Sequence, residues 1–284
     1  MDTVLVLTEE QFSLVYNAFS FVIASMGAAF LYFLLVRNQV RPANQLALTI
    51  STVVVAIATY HYVRIFASWD DAFSYVDGVY VQDGATFNEA YRYVDWLLTV
   101  PLLLTELVIV LKLAKSTTRS LLVRLTIAAV AMIALGYPGE IAAVGSAERL
   151  TYGIASTIPF LYILYVLFVE LGRSLGRQPA GVRRLVDGLR YIVLITWGVY
   201  PLAYLSPSLI SDPAQAEVIR QVGYSVADVL AKTLFGLLVL AIAIAKSRDR
   251  KTGADLDAGL TEIESPIDLR PSRAGVVGGA PTVR

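Results

Sequence analysis

The chain has 284 residues, no Cys, a single His and 23 basic against 23 acidic residues. Without Cys there is no disulfide, thiolate metal site or Cys nucleophile, and His61 alone makes no multi-His metal site. A balanced charge points to no nucleic-acid partner, while 56% hydrophobic residues and a mean hydropathy of +0.63 indicate a multi-spanning membrane protein.

The opening "MDTVLVLTEEQ" has neither a basic n-region nor a cleavage site, so residues 1–10 read as an outer segment and not a signal peptide. Seven apolar segments follow, at about 11–36, 45–67, 90–113, 119–137, 150–172, 190–207 and 217–246, each near the length that crosses a bilayer. The fourth and sixth are the weakest. Continuous apolar runs predict an all-α membrane protein, a seven-transmembrane helix bundle, and not a barrel.

Orientation follows from the connections. Arg37 and Arg41 follow the first span, and Lys112, Lys115, Arg119 and Arg124 surround the link from third to fourth. Arg173, Arg177, Arg183, Arg184 and Arg190 surround the link from fifth to sixth, and Lys246, Arg248, Arg250 and Lys251 follow the seventh. The link from second to third instead carries Asp70, Asp71, Asp77, Asp83 and Glu89. The positive-inside bias therefore predicts an outside N-terminus and a cytoplasmic C-terminus. In the second-to-third link, "GVYVQDGATFN" alternates around Asp83-Gly84, which predicts a short β-hairpin turning there. Residues 11–248 form the bundle, and the Gly-, Pro- and Ser-rich 249–284 reads as a disordered cytoplasmic tail.

Ionisable residues inside the spans are the informative feature. The third span, in "EAYRYVDWLLTVPLLLTELVIVLK", contains Arg92, Asp95 and Glu106. Asp95 and Glu106 are eleven residues apart, about three helical turns or roughly 16 Å, which returns both to nearly one face. Thr99 shares that face one turn from Asp95. In the seventh span Asp228 and Lys232 stand at i and i+4. A bare ammonium at the bilayer centre costs at least about 2.5–3.5 kcal/mol, so Lys232 must be paired or chemically altered. Asp95 and Asp228 can flank it, with Arg92 offsetting the second carboxylate. A purely structural ion network is the competing reading. Glu106 weighs against it, because no basic residue inside the bundle pairs with it, and a carboxyl in apolar surroundings holds its proton ready to give up.

"RYVDWLLTVPLLLTEL" and "DVLAK" resemble the microbial (type 1) rhodopsins, in particular the xanthorhodopsin and proteorhodopsin groups. The resemblance runs over all seven spans. It implies all-trans retinal bound as a Schiff base on Lys232, with Trp96, Trp197, Tyr200 and Pro201 in the retinal pocket. Asp95, Thr99 and Glu106 match the Asp-Thr-Glu pattern of outward, light-driven proton pumps. By that resemblance Asp95 is the proton acceptor, Glu106 the donor, Asp228 the second counter-ion and Arg92 the barrier towards the outer medium. The protein would then be a light-driven ion transporter and not an enzyme, located as a multi-pass protein in a prokaryotic plasma membrane. Its partners would be protons, the lipid bilayer and further copies of itself in a pentamer or other ring. A photosensory rhodopsin signalling through a partner is the alternative. No metal is expected.

Three positions carry two readings each. His61, in "TYHYVRIF", is either a core His or, by the resemblance, the partner of Asp95. Gly153 is either a packing glycine or the opening beside retinal where xanthorhodopsin-like members hold a hydroxylated or ketolated carotenoid antenna. "GYPGE" at 136–140 favours the same group. Leu103 is either a packing leucine or the spectral-tuning residue that accompanies green absorption. Glu140 and Glu148, near the outer ends of their spans, read as exposed solvating carboxylates, with a part in proton release as the other reading.

Overall fold

The computed structural model describes residues 4–170, 172–177 and 180–248. The expected tail at 249–284 lies outside the described residues. Among the described residues, seven helical spans are long and apolar enough to cross a membrane. They comprise α1 (Glu9–Val36), α2 (Gln45–Asp70), α3 (Ala90–Val110), α4 (Lys115–Ile141), α5 (Ala147–Tyr165) and α6 (Ala180–Leu209). The seventh is α7 (Pro213–Asp228), a π-turn at Val229–Leu234 and α8 (Phe235–Arg248) in continuous succession. A second π-turn, Val166–Glu170, ends the fifth span.

Local chemistry sets the helix starts. Thr8 caps α1 in a reciprocal box with Gln11, the Thr8 hydroxyl accepting from Gln11 N at 3.2 Å and Gln11 Oε1 from Thr8 N at 2.9 Å. Ser146 caps α5 and Asp212 caps α7, whose first residue is Pro213. α4 and α6 are longer than the expected 119–137 and 190–207. The extra turns of α6 carry Arg183 and Arg184, and Arg190, at the expected start, is buried, bonding Asp187 at 3.1 Å and the Phe168 carbonyl at 3.2 Å. Basic residues there belong to helix, since long cationic side chains cover apolar surface while their heads find partners.

A small antiparallel sheet caps one end. β1 (Val6–Leu7) pairs with β3 (Val79–Val81), which pairs with β2 (Ser74–Val76), in the order β1-β3-β2. The hairpin turns at Asp77-Gly78, not at the expected Asp83-Gly84. Asp77 and Gly78 have φ of 49° and 86°, the two left-handed residues that a tight hairpin of right-handed twist requires. Part of the N-terminal segment is therefore built into the sheet.

α3 is the most enclosed span and α5 the least. One core gathers Trp96, Leu103, Leu107, Ile133, Ile163 and Trp197 around α3. Another joins α1, α2 and the sheet through Phe12, Phe19, Trp69 and Phe87, with Phe12 stacked on Tyr80 at 3.7 Å. Outward faces carry Phe21, Leu35, Ile127, Ile158 and Ile195, an apolar exterior suited to lipid. These spans and this exterior fit a multi-pass membrane protein.

Candidate functional site

The π-turn of the seventh span holds Lys232 one wide turn beyond Asp228. Such turns widen the helix where a side chain must be presented to a site. Lys232 is buried between two carboxylates, bonding Asp95 Oδ2 on α3 and lying 3.1 Å from Asp228 Oδ1.

Asp228 is the better-solvated of the two by protein groups. Its Oδ1 accepts from Trp96 Nε1 at 3.0 Å and from the Tyr200 hydroxyl at 2.6 Å, and its Oδ2 accepts from the Tyr62 hydroxyl at 2.7 Å. Asp95 Oδ1, by contrast, has no hydrogen-bond partner among the described residues. The Thr99 hydroxyl donates to the Asp95 backbone carbonyl at 2.8 Å and not to its carboxylate. Asp95 is thus bonded to Lys232 and otherwise free to take a proton on Oδ1.

Arg92 does not touch Asp228. It donates to the Tyr62 oxygen at 2.9 Å and to Gln221 Oε1 at 2.6 Å, with its guanidinium near the Phe19, Tyr62 and Tyr224 rings. Tyr62 is the relay that joins the two.

His61, the expected partner of Asp95, shares no hydrogen bond with it among the described residues. Tyr62, the next residue on α2, takes the inward bonding position, and Asp95 turns one oxygen to Lys232. His61 is buried with its ring edge against Tyr60, and its Nδ1 has no partner among the described residues.

Glu106 lies further along α3, fully buried. Ser51 on α2 donates its hydroxyl to Oε1, and Oε2 has no partner among the described residues. Glu140 corrects another expectation: it is buried, with Arg220 2.6 Å from Oε1 and the Tyr93 and Tyr224 hydroxyls on Oε2. Only Glu148 is exposed. Ser51, Tyr62, Gln221 and Arg220 have no local sequence signature, since their roles arise from pairings between helices.

An aromatic cavity of about 130 Å³ adjoins the site and is partly open to the outside. Trp96, Trp197, Tyr200, Pro201 and Gly153 line it, whereas Leu103 is buried on α3 without lining it. Trp96 and Tyr200 form one wall and also hold Asp228, so the cavity and the Lys232 site share residues. An elongated apolar aldehyde condensed on a buried amine fits these residues: flat aromatic walls for a polyene, and two carboxylates for a cationic nitrogen.

The family model of bacteriorhodopsin-like proteins matches residues 15–246. A green-light absorbing proteorhodopsin of Gamma-proteobacterium EBAC31A08 is 29% identical over 231 residues, 81% of this chain and 86% of that protein. The crystallographic structure of xanthorhodopsin, described as a light-driven ion pump with dual chromophore, superposes with a TM-score of 0.81 at 46% identity, covering 87% of this chain and 99% of that one. Thermophilic rhodopsin gives 0.81 at 48% identity, covering 85% and 97%. The family implies a retinal chromophore, and the chain belongs to the bacteriorhodopsin-like, microbial (type 1) rhodopsins.

Proposed function

We propose that the protein is an outward, light-driven proton pump with retinal covalently bound at Lys232. The observation that carries this reading is the arrangement along α3: Asp95 bonded to Lys232, and Glu106 buried about 16 Å further along the same helix. Retinal, when bound as a Schiff base, supplies light absorption and a light-dependent change in the proton affinity of the Lys232 nitrogen.

The chain's own residues do the rest. Asp95 takes the Lys232 proton on its unpartnered Oδ1 or on the oxygen that Lys232 vacates. Asp228 keeps its charge through three donors other than Lys232 and acts as the second counter-ion. Arg92, reaching Asp228 through Tyr62, closes the path towards the hairpin end. Glu106 returns a proton to Lys232 from the opposite side. The basic connections support a cytoplasmic location for that side and an extracellular hairpin end. His61 is the partner of Asp95 in this reading, supported by an unpaired buried polar atom on each.

Gly153 lines the cavity and is itself only half-buried, which supports a lateral carotenoid antenna of hydroxylated or ketolated type. The dual chromophore in the description of the xanthorhodopsin structure favours the same reading. Leu103 accompanies green absorption.

Illumination of retinal-loaded cells in unbuffered medium tests the pump. The expected result is acidification abolished by a protonophore. A photocycle with no pH change would replace pumping by photosensing, and protonophore-enhanced alkalinisation would reverse the direction.

A further inference from the structure

The connection from α3 to α4, at the end of the bundle away from the hairpin, borders an open groove that the Lys232 site does not use. Lys112, Lys115 and Arg119 form its cationic part. Ile109 of α3 and Leu122 and Val123 of α4 form its apolar part, and no carboxylate lines it among the described residues.

Along α4 these residues follow an order. Lys115, Arg119 and Val123 stand at i, i+4 and i+8, with Leu122 beside them at i+7, so all four share one helix face. That face is cationic at the start of the span and apolar from the next turn on. It continues with Ile127, which is 65% exposed on the apolar exterior.

The charge order runs against the preference of the helix itself. The first turn is the positive end, where capping oxygens and acidic side chains are favoured. α4 has no side-chain cap from Ala114 and no acidic residue in its first turn, and carries Lys115 there instead. Lys115 and Arg119 are exposed and form no ion pair or side-chain hydrogen bond among the described residues. Lys112 has a φ of 51°, a left-handed conformation that suits glycine and strains lysine, yet this turn places its ammonium on the groove.

Cations gathered in this way repel one another unless an anion lies among them. A soluble anion covers the cationic part alone and leaves Ile109, Leu122 and Val123 bare. We infer that the groove binds one anionic phospholipid. Its phosphate sits against Lys115, Arg119 and the first-turn N–H groups of α4, with Lys112 adding to the charge, and an acyl chain lies along Ile109, Leu122 and Val123. The depth agrees, since Lys115 begins the fourth membrane span and so lies at the level of lipid headgroups. The inference needs the membrane setting and not the pump reading.

Native mass spectrometry of the full chain released from detergent micelles tests it, with phosphatidylglycerol or phosphatidylcholine of matched acyl chains as the probes. One phosphatidylglycerol should stay bound at concentrations where phosphatidylcholine does not. Lys115→Gln combined with Arg119→Gln should weaken that binding roughly tenfold or more. Arg183→Gln with Arg184→Gln, which changes exposed arginines at the same end but outside the groove, should leave it unchanged. Equal retention of the two lipids, or wild-type retention of phosphatidylglycerol by K115Q/R119Q, overturns the inference. An equal loss in the Arg183 and Arg184 control means diffuse surface attraction and overturns it too. Glycerol 3-phosphate at the same concentration should leave the lipid in place, and displacement would assign the groove to a soluble anion instead. Should K115Q/R119Q not fold, the wild type still decides. Phosphatidylglycerol with a photoreactive acyl chain should label residues 109–123 above the other lipid-facing segments, and phosphatidylcholine with the same chain should not. Labelling that is alike for both lipids overturns the site.

Discussion

Ser51 on α2 donates its hydroxyl to Glu106 on α3, and it is the only donor to that carboxylate among the described residues. An ionised Glu106 therefore depends on a single side chain from a neighbouring helix. Ser51→Ala leaves it bare at an added cost of about 1–3 kcal/mol, so proton return to Lys232 should slow roughly tenfold or more. Recovery of the visible absorbance after a flash measures this. Glu106→Gln should slow recovery further and make it strongly pH dependent. Unchanged recovery in both variants would remove Glu106 from the donor role.

Tyr62 carries two charged partners on one hydroxyl, donating to Asp228 and accepting from Arg92. Tyr62→Phe keeps the ring beside Phe19 but deprives both buried charges of a bond. Hydrogen bonds to charged groups are each worth about 1.5–3 kcal/mol, so the pigment should lose on the order of 3 kcal/mol of stability. Denaturant-induced loss of visible absorbance reads this directly. A change below about 0.5 kcal/mol, typical of an uninvolved surface site, would show that Tyr62 is not the relay.

His61 and Asp95 each bury an unpaired polar atom, which is costly unless they meet in some state of the cycle. His61→Asn should therefore move the acid-induced colour transition of the pigment. A transition at the wild-type pH would dissociate the two residues.

What could be read from the sequence was what lies close along the chain. Asp228 and Lys232 are one helical turn apart, and Asp95, Thr99 and Glu106 recur on one face of a single helix, so periodicity exposes them. The Glu89–Glu140–Arg220 cluster joins three spans that have no common sequence register, and Glu140 looked like a surface acid because nothing local marks its partners. The hairpin failed on a narrower point. Two Asp-Gly pairs compete in one loop, and only Asp77-Gly78 has β-forming residues of matched length on both sides, Tyr75 and Val76 against Val79 and Tyr80. α6 starts at Ala180, before the expected 190, because Arg183 and Arg184 mark a basic connection in the sequence yet sit on the helix.

Gly153 tests the antenna. A Cβ built there would meet Tyr204 Cε1 at 3.0 Å and its hydroxyl oxygen at 3.3 Å. Tyr204 is held, since its hydroxyl donates to the Arg149 carbonyl at 2.7 Å and its own carbonyl accepts from Arg149 at 2.9 Å. Gly153→Trp should therefore fill the lateral mouth, with the Tyr204 ring or the α5 backbone giving slightly at the new Cβ. Excitation spectra with a ketolated or hydroxylated carotenoid should show energy transfer to retinal in the wild type and none in G153W. Transfer that survives the indole would place the carotenoid elsewhere, and no transfer in the wild type with every carotenoid tried would remove the antenna.

Glu89 makes stability depend on pH in an unusual direction for a carboxylate. Its folded pKa lies near 7, above the ordinary 4.5, so the folded state binds the proton more tightly than the unfolded state. The contribution is fully present below about pH 4.5 and is lost as pH rises to about 7, an effect on the order of 3 kcal/mol. Salt-bridged carboxylates with depressed values act in the opposite sense, gaining as pH rises. Unfolding free energies of wild type and Glu89→Gln, measured across this range, isolate the term because all other groups are shared. Their difference should change by a few kcal/mol between the two ends, the wild type losing ground towards neutrality. Parallel pH profiles would mean that Glu89 is ionised throughout and that the cluster is a fixed ion network.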